Sequence, residues 1–285
     1  MEQMFFPLAM GVLIGASLIF FLFLAVLAFT PDISLMISPV MVAFLKDVGG
    51  PVAAGFGGAI AGAVCSYIFQ RKNEKEREMK ADISVIHKTA IHLLMQTNEL
   101  YSIKKHNIYP SLKEKARFLD ISKIPVRSNV VDRIDTRVID VALSVKDASL
   151  IDNIFLAEAR YRACFENFSN RNLSLDEFRS TVKSSGLARK DSYDLLDLYK
   201  VVGAGQLVAL HVMTEQMIEV LDEALTTLTN SMVLLTALVD KKYKGTGVPS
   251  LKMDMKKNEE YLKKSSPPYF DVESLKKLLR SFDEE

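Results

Sequence analysis

Two long uncharged stretches open the chain, and each predicts a helix that crosses a membrane. No residue from Gln3 to Pro31 is ionisable, and this run exceeds the roughly 20 residues that a helix needs to span a bilayer core. The second run extends from Val48 to Gln70, with Pro51 suited to the first turn of a helix. The pattern predicts a transmembrane helical hairpin over residues 1–70. A cleaved signal peptide is the alternative to the first span, but Glu2 stands where such a peptide carries Lys or Arg.

The second stretch has a small residue at every fourth position, which places these residues on one face of a helix. Glycine costs a helix in water about 1 kcal/mol relative to alanine, but in a membrane small residues allow two helices to approach backbone to backbone. We therefore expect this face, the small-residue stripe, to be a transmembrane packing surface between copies of the protein. The stripe consists of Gly50, Ala54, Gly58, Gly62 and Ser66.

Charges on either side of the spans predict the orientation of the chain. Basic residues of an expected membrane-interface anchor follow the second span, whereas the link between the spans offers only Lys46 against Asp32 and Asp47. By the positive-inside rule the C-terminal side is cytoplasmic, and an even number of spans returns the N-terminus to that side. Within the link, Ser38 and Pro39 predict the cap and first turn of a short helix. The anchor consists of Arg71, Lys72, Lys75 and Arg77.

Helical periodicity dominates the chain beyond the spans and predicts a cytoplasmic helical domain over residues 71–244. Apolar positions from Met79 to Leu100 alternate spacings of four and three, which is typical of a heptad seam. An irregular stretch with two prolines follows over residues 106–129, and helical periodicity resumes near Val130. The second span is therefore expected to continue into a long cytoplasmic helix.

The longest predicted helix comes later and is preceded by a short one. Ser174 and Glu177 have the spacing of a capping box for the short helix, which Gly186 can end. The long helix is expected to begin just after Gly205, to end near Lys244 and to present an apolar helix seam. This seam can pack on the heptad seam of the second-span helix inside one protomer, as in a helical bundle, or the seams can pair between protomers. Its members are Ile218, Leu221, Leu225, Leu228, Met232 and Leu235.

Residues 245–285 are expected to form a flexible tail that ends in a short amphipathic helix. The part before Pro268 is polar and rich in lysine, which is typical of a solvated linker. Asp271 can cap the terminal helix, which has one apolar edge. This helix can dock on a partner or fold back on its own domain, and the sequence favours neither. The apolar edge consists of Leu275, Leu278, Leu279 and Phe282.

Composition and motifs limit the functions and ligands that we expect for this chain. The net charge of +1 argues against a strongly basic nucleic-acid-binding surface over the whole chain. Cys65 and Cys164 lack the paired spacing of a disulfide or metal framework. The chain contains no HExxH, no GxSxG and no phosphate-binding loop. We therefore expect no enzyme activity, no metal, no cofactor and no small-molecule substrate. The expected fold class is all-α, with an N-terminal two-helix transmembrane hairpin before a cytoplasmic helical bundle of long coiled-coil-like helices.

One resemblance comes from the second span, GFGGAIAGAVCSYIFQ, which passes directly into RKNEKEREMK and a helical domain. This arrangement resembles the two-transmembrane effectors of bacterial anti-phage systems, in particular the retron-associated type. The resemblance implies a toxin of the bacterial inner membrane. It also implies as partners a reverse transcriptase with its RNA-DNA hybrid, which hold the toxin inactive until it is released to damage the membrane.

Three hypotheses on function follow. The first is an effector, a toxin of an anti-phage defence system, that forms a homo-oligomer through its transmembrane helices and disrupts the lipid bilayer when it is released from an inhibitory partner. The alternative is a membrane-anchored helical scaffold or sensor that recruits a cytosolic partner. The third, an enzyme with a site built from dispersed residues, has no supporting motif.

Overall fold

The computed structural model describes residues 14–16, 19–23, 26, 38–126, 134–189, 193–243 and 259–283, and every regular element within them is a helix. This confirms the all-α class for the described residues. The chain divides into two compact units, Met1–Lys80 and Ala81–Glu285. The first predicted span lies mostly outside the described residues, so the transmembrane hairpin stays a prediction. Most of the predicted linker, residues 244–258, lies outside them as well.

In the first unit, residues 14–16, 19–23 and 26 are helical. Helix α1 (Pro39–Phe44) begins at Pro39, as predicted, and the Met41 amide donates to the Ser38 carbonyl at 2.8 Å. A π-helical turn, Leu45–Gly49, leads to α2 (Gly50–Ile103). Helix α2 therefore contains nearly all of the second predicted span.

In the second unit, single turns follow the end of α2. A π-helical turn, Lys104–Ile108, is followed by a 3-10 turn, Tyr109–Ser111, and by α3 (Arg117–Asp120). Residues 121–126 are irregular. The predicted interruption of the helical pattern is thus present, and α4 (Arg137–Ser144) follows it.

Helices α5 (Ala148–Ser184) and α6 (Leu195–Lys242) are the main packed pair of this unit. Asp147 caps α5 by accepting from the Leu150 amide at 3.1 Å. Asp194 caps α6 by accepting from the Asp197 amide at 2.8 Å. Carboxylates at these positions accept from amides that have no partner within the helix. The positive end of the helix dipole also stabilises their negative charge.

One predicted boundary in this pair is wrong, and a second is close to the structure. Ser174 and Glu177 lie inside α5, and no helix begins there, because buried neighbours such as Phe178 pack in the core and hold the helix continuous. Packing outweighs a local capping signal, since most helix stability in proteins is tertiary. The predicted start of the long helix, just after Gly205, lies close to a break in α6, because Gly203 has a non-helical backbone (φ +76°) that separates two helical segments at a kink.

Two helix ends depend on a left-handed backbone. Gly186 has a φ of +79° directly after α5, as the sequence predicted, and a glycine adopts this conformation without steric cost. Lys146 has a φ of +58° between α4 and α5. The helical stretch predicted from Val130 onward is therefore broken in two, and residues 127–133 lie outside the described residues.

The C-terminal arm, residues 259–283, packs on this helical pair. It contains α7 (Glu259–Leu262), a strap of residues 263–266 and α8 (Val272–Ser281). Asp271 caps α8 by accepting from the Ser274 amide at 2.6 Å, as predicted.

Candidate functional site

The small-residue stripe lies along the first part of α2, and no described part of the chain covers it. A β-carbon added at Gly58 or Gly62 would meet no other atom within 4 Å, and Ala54 and Ser66 are exposed. Gly50 is half-buried and equally free of close neighbours. The predicted packing residues therefore share an unoccupied face within the described chain.

The N-terminal segment contacts α2 on a different row. A β-carbon added at Gly57 would lie 3.7 Å from Cε2 of Phe21. Because successive helical residues differ by about 100° in direction, this contact lies about 100° from Gly58 and about 140° from Gly62. It leaves that part of the stripe open, whereas Gly57 points within about 20° of Gly50.

Large apolar side chains around the stripe are also exposed. By length and composition, two helical stretches of the described residues can cross a membrane, Asp47–Ser111 and Leu195–Lys242. The second stretch contains α6, whose apolar seam is buried in the core of the second unit. In the first stretch several apolar residues from Val85 onward are buried, but no described residue from 50 to 70 is buried. The apolar residues of 50–70 that are more than half exposed include Val52, Phe56, Tyr67, Ile68 and Phe69.

The predicted membrane-interface anchor follows on the same helix. Arg71, Lys72, Lys75 and Arg77 are all exposed. They stand directly after an uncharged stretch, which is where the positive-inside rule counts cations. The orientation that they imply stays a prediction.

The apolar seam of α6 is buried within one protomer. Its six predicted members, from Ile218 to Leu235, are 0–4% exposed, and α6 packs mainly on α5. The same helix pair is joined by polar contacts, since the Cys164 thiol lies 3.7 Å from the Val220 carbonyl oxygen. The seam is thus buried within one protomer, but its main partner is α5 and not the heptad seam of α2. The seam members are Ile218, Leu221, Leu225, Leu228, Met232 and Leu235.

The apolar edge of the terminal helix is also covered by its own domain. Leu275 and Leu279 are fully buried, in a cluster with Phe118 of α3. Phe282 packs edge-on against the Tyr199 ring, with centroids 5.7 Å apart, and Leu278 is half-buried. The helix thus folds back on its domain. Docking of the same four residues on a partner stays a prediction, and it requires α8 to leave this position.

A buried ion pair that the sequence analysis missed holds the strap. The Lys104 ammonium donates to Asp222 Oδ1 of α6 and to the carbonyl of Lys263, both at 2.6 Å. Asp222 Oδ2 accepts from the amide of Ser265 at 2.6 Å. Because Lys104 and Asp222 are 1% and 5% exposed, each charge depends on the other and on these backbone groups.

A second pair, with a buried Arg117 and a half-buried Glu215, repeats the arrangement at the other end of the strap. Arg117 Nε donates to Glu215 Oε1 at 2.8 Å, and its Nη2 donates to Oε2 of the same carboxylate. Arg117 Nη1 donates to the carbonyl of Ser266 at 2.9 Å. We call these two pairs, Lys104–Asp222 and Arg117–Glu215, the arm clamp. The arm clamp forms hydrogen bonds with main-chain atoms of the strap, and hydrogen bonds to the main chain are also used to bind peptides.

Two further buried cationic or titratable groups lie near the arm clamp. Arg171 is fully buried and donates to the carbonyls of Ser122 at 2.9 Å and Phe118 at 3.1 Å, and burial lowers the pKa of its guanidinium to about 10. His211 is buried against the Phe118 ring, with centroids 5.3 Å apart. Burial lowers the pKa of His211, which favours the neutral imidazole at pH 7.

The described residues contain no recognisable catalytic arrangement. No group of three or more His, Cys, Asp or Glu among them is placed to hold a metal ion. An apolar cavity of about 560 Å³ is lined by residues of α4 and α5 such as Val138 and Phe155. Its two charged lining residues, Glu158 and Arg162, pair with each other at 2.8 Å and are thus already satisfied.

The fold and these sites define an all-α protein with an exposed apolar helical stretch and a helical domain that holds its own C-terminal arm. No protein-family model, no curated protein and no solved structure matches this chain.

Proposed function

We propose that this chain is an effector, a toxin of the bacterial inner membrane, whose transmembrane helices associate with those of other copies and disrupt the membrane. The observation that carries this proposal is the first part of α2, which is uncharged, exposes its large apolar side chains and presents an uncovered stripe of small residues. The proposed location places two spans in the membrane and both termini in the cytoplasm, in accordance with the basic anchor.

Exposed apolar area supports insertion in lipid. Side chains such as Phe56, Ile68 and Phe69 are 55–67% exposed, and full burial of one such side chain is worth about 1.5–3 kcal/mol. No described part of the chain provides that burial. A bilayer provides it for all of them, and it favours a continuous helix because every backbone group is satisfied internally.

The open stripe supports association with a second copy of the chain. In lipid the hydrophobic effect does not drive helices together, and close packing at small residues takes its place. Gly58 and Gly62 have no neighbour within 4 Å of an added β-carbon, so a second helix can approach there without displacing anything. Several copies assembled in this way can create a lesion that one copy cannot.

Control by a partner completes the proposal. The resemblance to retron-associated effectors supplies the candidate partner, a reverse transcriptase with its RNA-DNA hybrid. Release from that partner would free the membrane segment to assemble. Release from the partner, assembly in the membrane and disruption of the membrane require no catalytic residue in the chain.

The test measures membrane potential in bacteria that express the full chain without other components. We expect depolarisation and growth arrest with the natural sequence, and the loss of both with the Gly58→Leu and Gly62→Leu double variant. The matched control is Ala63→Leu, which adds bulk about 140° around the helix from Gly58. It should remain active. Equal membrane content of all variants is verified by immunoblotting.

Either of two results would overturn the proposal. One is depolarisation by the double variant equal to that of the natural sequence, which would remove the stripe from the assembly surface. The other is full activity after exchange of the whole N-terminal region for an unrelated membrane anchor. That second result would establish the alternative, a membrane-anchored scaffold or sensor.

A further inference from the structure

A cavity of about 370 Å³ lies between the turns that follow α2 and the strap of the C-terminal arm. Lys104 and Lys113 line it on one side, and Lys263 and Lys264 line it on the other. The hydroxyl-bearing residues Ser265 and Ser266 also line it, and one carboxylate, that of Glu260, faces it. Cationic side chains therefore outnumber anionic ones around this cavity.

Several of these donors are available to a ligand. Lys113 and Lys264 form no ion pair within the described part of the chain, whereas Lys263 pairs with Glu259 at 3.3 Å. Lys104 is buried and uses two of its three ammonium hydrogens, on Asp222 and on the Lys263 carbonyl. Glu260 accepts from the hydroxyl of Tyr109, which partly satisfies its charge.

We propose that this cavity binds a phosphate-bearing anion. Lysine ammonium groups bind phosphate as point charges, and the Ser266 hydroxyl adds a donor whose hydrogen is not used by any described residue. The buried ammonium of Lys104 is held in place by Asp222 and the strap and has one hydrogen left to donate. Because Asp222 balances its charge, the net positive charge for an anion comes from Lys113 and Lys264. The ligand class is defined by the phosphate group, which free polyphosphates, nucleotides and lipid headgroups share.

The two walls of the cavity belong to different segments, so binding of an anion affects whether the arm stays docked. Lys113 belongs to the turns after α2, and Lys264 belongs to the arm. An anion that contacts both binds the docked arm better than a displaced one. By linkage, the anion therefore stabilises the docked arm.

The test uses the full chain in detergent micelles and tripolyphosphate as the probe, with calorimetry as the measurement. We expect saturable binding at one site. The Lys113→Ala and Lys264→Ala double variant should bind about tenfold more weakly or worse, because two charged contacts are lost. The Lys113→Arg and Lys264→Arg variant should retain binding. The matched control is Lys183→Ala with Lys277→Ala, which removes the same charge from exposed positions outside the cavity.

Hydrogen exchange supplies the second readout. Tripolyphosphate should slow exchange in peptides that cover the strap, where the Ser265 amide donates to Asp222, and should do so in the control variant but not in the Lys113→Ala and Lys264→Ala variant. Repetition with adenosine monophosphate, and in phosphatidylcholine nanodiscs with and without phosphatidylglycerol, identifies the source of the phosphate. No saturable binding of any of these probes would overturn the proposal. So would equal weakening by the control variant, which would indicate general charge screening.

Discussion

Glu215 and Asp222 lie two turns apart on one face of α6, and each carboxylate holds a buried cation that also binds the strap. Lys104 from the turn after α2, Arg117 from α3 and two acids from α6 thus fix the same short piece of the C-terminal arm.

The first prediction concerns the Lys104–Asp222 pair. Asp222→Ala removes the carboxylate and leaves the ammonium of Lys104 buried without its counter-charge. We expect a loss of about 3–5 kcal/mol in the free energy of unfolding, as for other buried pairs that lose one partner. Urea unfolding of the full chain in detergent, followed by circular dichroism, measures it.

Two controls separate burial from charge in this experiment. Asp176→Ala breaks the pair with Lys123, in which both side chains are 48% exposed, and should cost less than about 1 kcal/mol. The Lys104→Met and Asp222→Leu double variant removes both charges and should be more stable than Asp222→Ala. A double variant as unstable as the single one would contradict the argument.

The second prediction concerns the arm. Leu279 is fully buried in the cluster beneath α8, and Leu279→Ala removes apolar contacts worth about 2–5 kcal/mol. Because α8 is short and terminal, the loss should appear as local opening of the arm. Hydrogen exchange in peptides of α8 should accelerate, while exchange in α5 stays as it was. Leu278→Ala, at a half-buried position, is the matched control and should have a smaller effect. Equal acceleration by both variants would contradict this account.

Local pattern was enough to predict much of the helical architecture. The apolar period of the α6 seam predicted residues that are in fact buried, Pro39 predicted the start of α1, and Gly186 predicted the end of α5. Each of these signals acts through neighbours a few residues away. The helix start predicted from the capping box at Ser174 was wrong because that signal also depends only on nearby residues. Packing of α5 against α6 decides that the helix continues there, and α6 is distant in the sequence.

The arm clamp could not be predicted in this way. Lys104 and Asp222 are far apart in the sequence, and no periodicity links them. One weak signal was present, because Glu215 and Asp222 recur at a heptad spacing beside an apolar seam. The amphipathic pattern of α8 shows that the helix has an apolar edge but not which surface covers that edge. The sequence therefore could not decide between folding back and docking on a partner.

The third prediction concerns pH. Burial lowers the pKa of His211 below the value of about 6.5 that it has in an unfolded chain. The unfolded chain therefore binds the proton more readily, so His211 lowers stability as pH falls from about 6.5 toward its pKa in the fold. The charged groups that face it are Glu215 of α6, Arg117 of α3 and Asp271 at the start of α8.

The His211→Phe variant isolates this contribution. Its ring can occupy the same site against Phe118, and no described residue bonds to Nδ1 of His211. We expect the difference in unfolding free energy between pH 7.5 and pH 5.5 to be smaller in His211→Phe than in the natural sequence. An unchanged pH dependence in His211→Phe would contradict the assignment.

The last prediction uses the two natural cysteines to test association along the stripe. Burial raises the pKa of the Cys164 thiol to about 12, so this thiol is protonated and unreactive in the folded protein. Cys65 is exposed and lies about 20° around the helix from Gly58, on the stripe itself. Because a disulfide requires α-carbons within about 7 Å, a membrane-permeant oxidant should link Cys65 of two copies only if their stripes are in contact. Moving the thiol to the far side, in a Cys65→Ser and Ala63→Cys variant, should abolish covalent dimers on denaturing gels. Dimers of equal yield from both proteins would mean that the helices meet at random, and not through the small residues.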